Sequence, residues 1–312
     1  MTGEKRLAGC ATGRSVAVEL HRRRLDTSPK GSLQTGGGLA LVWALLFSLS
    51  GACGAAARKP GGAAASSGPV SEIHVAQSFW VPGEIMRWRV SAHGFEAANM
   101  VLVAGQPGEV EGHRAIIVRT RATTAGVLKL VKEVTEEVTT WVDLDTCAPF
   151  YRVSYEKEGK REVTIESRNE ADHIVYSAKR SDGNDETWNK PTPAGEPIHD
   201  SISVLGMLRA WNPTEGERAS YYAVTDLVVS RHVATFAGYE NVRTPLGSSP
   251  AMRFRVEVYE VAADGHVGKR LGDQRYTIWI SNDSSRRPLR MDVPHRLARL
   301  SLEMVDYEQP GS

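Results

Sequence analysis

From Phe79 onward the chain runs in short stretches rich in Val, Ile, Tyr, Trp and Thr, broken by turn residues every 8 to 15 positions. That spacing predicts an all-β sandwich or barrel. Expected strands are 85–92, 99–104, 114–121, 127–141, 151–156, 161–167 and 173–178, then 219–229, 232–237, 252–261, 274–281, 289–293 and 297–305. Alternation is clearest in RFRVEVYEV, where Phe254, Val256 and Val258 share one face and Arg253, Arg255, Glu257 and Tyr259 take the other. One dry face and one wet face fit an antiparallel sheet. The pairs Asp264-Gly265 and Asn282-Asp283 supply hairpin turns. No internal repeat is present.

One segment breaks the period of two. In DSISVLGMLRAW, Asp200 can cap a helix whose Ile202, Val204, Leu205, Met207 and Leu208 form an apolar stripe, and Asn212-Pro213 stops it. Arg209, at the helix end, is placed to bond the last carbonyls or to pair with an acid. A lone three-turn helix among a dozen strands must bury its stripe on the sheet. The expectation is a curved sheet wrapped partly around that helix.

The longest apolar run, LALVWALLFSLSGACG (residues 39–54), lies outside this pattern. Arg22, Arg23, Arg24 and Lys30 precede it and small residues end it, the order of an export signal. Ser50-Gly51-Ala52-Cys53 resembles the lipobox of bacterial lipoproteins, whose cysteine carries lipid and begins the mature chain; Ser50 departs from the usual leucine. The alternatives are an uncleaved helix, since residues 39–57 are uncharged and just long enough to span a bilayer, and ordinary secretion. All three place the domain outside the cytoplasm. The polar leader before Leu39 has no apolar period, and the expected translation start lies nearer Val16 or Leu25 than Met1. Residues that follow Cys53 are mostly Ala, Gly, Ser and Pro, a flexible tether by composition. The expected organisation is leader and signal to residue 53, tether over 54–76, one β-rich domain over 77–308, and a short tail over 309–312.

Charge narrows the partners. Residues 1–53 hold seven Lys/Arg against three Asp/Glu, which leaves 31 basic and 34 acidic residues over the rest of the chain. That balance offers no footprint for a phosphate backbone, so nucleic acid is not an expected partner. Cys10, Cys53 and Cys147 show no metal or redox spacing, and Cys147 reads as core packing.

Catalytic patterns are equally thin. His199, Asp200 and Ser201 have the residue types of a hydrolase triad, but chain neighbours cannot align nucleophile, base and orienter, so capping is the better reading. Asp182, Asn184 and Glu186 match the opening of a calcium loop, but Thr187 and Pro193 stand where glycine and glutamate are needed. The histidines are scattered singly, without zinc spacing, and no Gly-rich loop leads from strand to helix. Neither a metal nor any other cofactor is expected, and the domain is read as non-enzymatic.

Four stretches carry a family resemblance: PGEIMRWRVSAHG (82–94), DSISVLGMLR (200–209), GYENVRTPLG (238–247) and IWISNDSSRRPLRM (278–291). In that order they resemble the bacterial exported family known as domain of unknown function 3108. The resemblance covers nearly all of the folded region. It implies a long antiparallel sheet rolled into a barrel or half-barrel with one short helix packed against it, similar in outline to periplasmic lipoprotein carriers and lipid-binding barrels. It implies no activity.

The aromatics give the sharpest ligand expectation. Trp88, Trp141, Phe254 and Trp279 lie on expected strands and, facing inward beneath the helix, would line an apolar cavity fit for an acyl chain; a filled core is the competing reading. The functional expectation is a cell-envelope lipoprotein, held to the membrane by lipid on Cys53 with its domain in the periplasm, binding a hydrophobic small molecule such as lipid. The alternative is an envelope assembly or structural factor acting through protein contacts at strand edges. A hydrolase with a dispersed site is the disfavoured third.

Overall fold

The computed structural model describes residues 69–310, apart from 194, 226, 263–264 and 295–298. The export signal, the early-start expectation, Cys53 and the tether as far as residue 68 lie outside the described residues, as does Asp264 of the expected turn.

Among the described residues, seventeen strands form one sheet. They are β1 (Ser71–Glu72), β2 (Ile85–Ala92), β3 (Phe95–Ala104), β4 (Gly108–Val110), β5 (His113–Thr124), β6 (Val134–Asp143), β7 (Pro149–Glu158), β8 (Arg161–Asn169), β9 (His173–Arg180), β10 (Glu186–Pro191) and β11 (Ile198–His199). After the helix come β12 (Arg218–Thr225), β13 (Val228–Thr244), β14 (Gly247–Val261), β15 (Val267–Ser281), β16 (Pro288–Pro294) and β17 (Arg299–Glu308). Helix α1 (Gly126–Val131) joins β5 to β6, and α2 (Ser201–Ala210) precedes β12.

Register pairs run antiparallel from β10 through β9, β8, β7, β6 and β5 to β3 and β2. They continue through β17, β16, β15, β14 and β13 to β12. Both β1 and β11 pair in parallel with β12, while β4 extends the β3 side of β5. Among the described residues the fold is therefore mainly β, one large and mostly antiparallel sheet with two short helices. Of the expected barrel or half-barrel, the closed barrel is corrected: among the described residues the ladder does not close. Where its ends approach, side chains meet in place of a backbone ladder. Val163, Ile165, Ile174 and Tyr176 pack with Ile198 and Val229, and the Asn169 amide donates to the carbonyls of Pro149 and Ile198 at 2.8 and 2.9 Å.

The stretch 127–141, expected as one strand, is split between α1 and β6. A short apolar run does not distinguish strand from helix by period, and here Gly126 decides. It adopts φ +54°, and a Cβ on it would collide with the Glu96 carbonyl, so the chain turns out of β5 at that point.

Helix α2 packs against the sheet and joins its core. Asp200 caps it as its sequence predicts: Oδ1 accepts from Ile202 N at 3.1 Å and Ser203 N at 2.8 Å, and Ser203 Oγ accepts from Asp200 N at 2.9 Å. The other carboxylate oxygen accepts from Thr140 Oγ1 on β6 and lies 3.7 Å from Arg152 Nε on β7. One side chain thus starts the helix and fastens it to the sheet. Ile202, Met207 and Leu208 join the main core with Met86, Trp88, Phe236, Phe254 and Ile278.

Candidate functional site

Between α2 and the sheet lies a cavity of about 60 Å³. Ile202, Leu205 and Leu208 form its helix wall; Trp88, Met100 and Leu302 are among its strand residues. That volume holds roughly four water-sized groups. The Trp88 indole is fixed there because its Nε1 donates to the Pro288 carbonyl at 2.9 Å. A second hollow, about 470 Å³, lies where Val75 and Phe79 pass the end of α2 at Trp211, and its lining is as polar as it is apolar.

Of the four aromatics expected to line a cavity, the structure brings Trp88 to it. The other three are corrected. Phe254 is fully buried in the core beside Trp211 and Phe236, with ring centroids 5.6 Å from each. Strand alternation turns Trp141 and Trp279 to the outer face, each half-buried between buried neighbours. Trp141 packs on Tyr151. Trp279 donates from Nε1 to Glu240 and lies beneath Arg290. Aromatic composition alone could not assign these faces.

The polar residues of its lining are Ser201, Thr225, His232, Tyr276 and Arg290, of which His232 and Tyr276 are buried in the core. These two belong to a buried hydrogen-bonded chain: Ser230 Oγ lies 3.0 Å from His232 Nε2, His232 Nδ1 3.2 Å from Tyr276 Oη, and Tyr276 Oη 2.6 Å from Tyr221 Oη. His199 meets the Tyr221 ring edge-on. Burial drives His232 down to about 3, with nearby His199 adding to the effect, and drives His199 down to about 4 against the opposing charge of Asp200. Both tyrosine hydroxyls are pushed up, burial leading in each case. The chain is neutral near pH 7. It contains a serine and a histidine but no carboxylate, and Asp200 is committed to the helix cap, Thr140 and Arg152.

Cys147 is buried, and burial pushes its thiol up to about 11. Among the described residues no group of three or more His, Cys, Asp or Glu converges as a metal site. Asp182 instead accepts from the Asn184 backbone within its own turn.

Arg209, expected from the sequence to bond the last helix carbonyls or to pair with an acid, has an acid partner that sequence reading did not name, Glu84. The Arg209 guanidinium also donates to the carbonyls of Arg286 and Ser285 at 2.9 and 3.1 Å, and lies over the rings of Phe79 and Trp80. Glu84 also accepts from Val81 N and Tyr307 Oη. Glu84, Arg209 and Ser285 come from three of the four stretches that carry the family resemblance. The fourth stretch contributes Glu240, which joins Arg253 and Trp279 on the outer face.

A family model described as "Protein of unknown function (DUF3108)" matches residues 85–302, from β2 into β17. The chain belongs to the DUF3108 family. No curated protein matches it. Among solved structures, this DUF3108 chain is similar to a β-barrel-like protein of domain of unknown function DUF1849 from Brucella abortus, at 11% identity and TM-score 0.46 over 74% of this chain and 99% of that one. It is also similar to a structure described as an exported protein with a YmcC-like fold from Bacteroides fragilis, at 9% identity and TM-score 0.33 over 74% and 100%. A third is the hypothetical lipoprotein YmcC of Escherichia coli, at 8% identity and TM-score 0.28 over 72% and 85%.

Proposed function

We propose that this protein is a non-catalytic cell-envelope lipoprotein, held by lipid on Cys53, whose β-rich domain binds the apolar part of a small molecule between α2 and the sheet. The observation that carries this reading is the almost wholly apolar cavity walled by the helix stripe and by Trp88, Met100 and Leu302. As it stands the cavity admits the end of an acyl chain, about four methylene-sized groups. A longer stretch requires α2 to move away from the sheet. Glu84 and Arg209 oppose that movement at the C-terminal end of α2, and Asp200 opposes it at the N-terminal end.

A non-catalytic role is supported by the hydrogen-bonded chain, where Ser230 and His232 are buried and no carboxylate orients the imidazole. Native mass spectrometry of the protein extracted from its host membrane tests the reading. A co-purified lipid is the expected result, and repeated recovery of empty protein overturns it. One observation favours the second reading, an envelope assembly factor acting through protein contacts. Strand β10, at an end of the ladder, is largely exposed and pairs through residues 186–191 with β9.

A further inference from the structure

Antiparallel order gathers the β2–β3 turn, α1 and the β12–β13 turn at one end of the sheet. The registers carry it along the sheet: Thr123 pairs with Thr135 and Ala98 with Thr124, Ala92 with Phe95 and Leu300, Leu300 with Val293, Asp292 with Thr277, Val267 with Val261, and Glu260 with Ser230. That end carries an unusual surface. Leu130 is 86% exposed and Val131 80% on α1, Phe95 is 70% exposed at the start of β3, and Val228 is 55% exposed at the start of β13. Single exposed apolar residues are ordinary, but two adjacent ones at this level beside an exposed phenylalanine mark a contact surface.

Charge indicates what covers it. Lys129 and Lys132 flank the apolar pair. The Lys129 pair with Glu133, at 3.5 Å, is exposed, and the Lys132 pair with Glu158, at 2.8 Å, is half-buried. An exposed pair such as Lys129 with Glu133 contributes little in water, so its ammonium can turn to a phosphate at small cost. An apolar tip between two lysines suits a bilayer interface, with the side chains among the acyl ends of the headgroup layer and the ammonium groups on phosphates. We propose that this end of the sheet docks on an anionic phospholipid bilayer, with Leu130 and Val131 as the inserted tip. The proposal stands apart from ligand binding in the cavity and holds even if that cavity stays empty.

Vesicle flotation tests it on the chain from Gly54 onward, which lacks the lipidated cysteine and retains the whole described sheet and its core. Vesicles are phosphatidylethanolamine with phosphatidylglycerol, compared with phosphatidylcholine alone. The expected result is flotation with the anionic vesicles, reduced about tenfold in Leu130→Ser/Val131→Ser. In Lys129→Gln/Lys132→Gln the preference for anionic lipid falls by about fivefold per lysine. Lys129, Leu130 and Val131 are exposed and Lys132 is half-buried, and unchanged circular dichroism confirms that the variants fold. Equal flotation of wild type and the serine variant overturns the proposal. So does a concentration-dependent dimer, seen by analytical ultracentrifugation, that the same variant abolishes.

Discussion

Arg209 and Glu84, 125 residues apart in the chain, form a two-pronged ion pair with neither side chain exposed: Nη1 donates to Oε1 at 2.6 Å and Nη2 to Oε2 at 2.8 Å. Removing one partner strands the other as a buried charge. Glu84→Ala is expected to cost about 3 to 5 kcal/mol in urea unfolding. Replacing both with apolar residues of similar volume, as in Glu84→Leu/Arg209→Met, is expected to recover part of that loss. A Glu84→Ala variant as stable as wild type would refute the buried pair.

Stability should fall in mild acid because of the two buried imidazoles. His199 is held down at about 4 and His232 at about 3, whereas unfolded histidines titrate near 6.5. Between those values the unfolded chain binds more protons, so stability rises with pH through the window and is complete above it. Each group is worth on the order of 3 kcal/mol by the acid end. Asp283 adds a smaller loss at lower pH. Burial alone would raise its carboxyl, but hydrogen bonds from Ser285, Arg287 and Ser281 outweigh that and hold it down at about 2. Urea midpoints measured from pH 7 to pH 4 should fall steadily; a flat profile would contradict the neutral, buried histidines.

Gly206 sits inside α2, where alanine would ordinarily favour a helix by about 1 kcal/mol. Here a Cβ would meet Ser78 Oγ and come within 2.6 Å of Trp80 Nε1, because residues 78–80 cross the helix at that point. Phe79 N also donates to the Gly206 carbonyl at 3.1 Å. Gly206→Ala is expected to destabilise by about 1 to 3 kcal/mol and to speed proteolysis within residues 73–82. A stabilised variant would show that the crossing segment packs elsewhere.

Cys147 should be inert in the native protein. Its thiol, raised to about 11 by burial, supplies almost no thiolate at pH 8. Iodoacetamide should label it in urea and leave it untouched without denaturant. Rapid native labelling would return a cysteine nucleophile to consideration.

Much of the fold is legible from local pattern. Residues 85–92 read as a strand and form one, Asp200 reads as a cap and is one, and Ile202, Val204, Met207 and Leu208 of the apolar stripe read as buried and are. Local chemistry suffices for these, since period and capping act within a few residues. The family, too, follows from short stretches in order. The site is less legible. Trp88 and Trp279 are alike in sequence context, yet one faces the helix and the other faces out.

What the sequence by itself determined is the β-rich class and the helix with its cap. Tertiary structure alone decided that the sheet stays open, that Glu84 is Arg209's partner, and that Ser230, His232, Tyr276 and Tyr221 join in one buried chain. The reason is distance along the chain. A strand's period is set by neighbours two residues away, whereas strand ends, ion pairs and cavity walls depend on groups brought together from across the whole sheet.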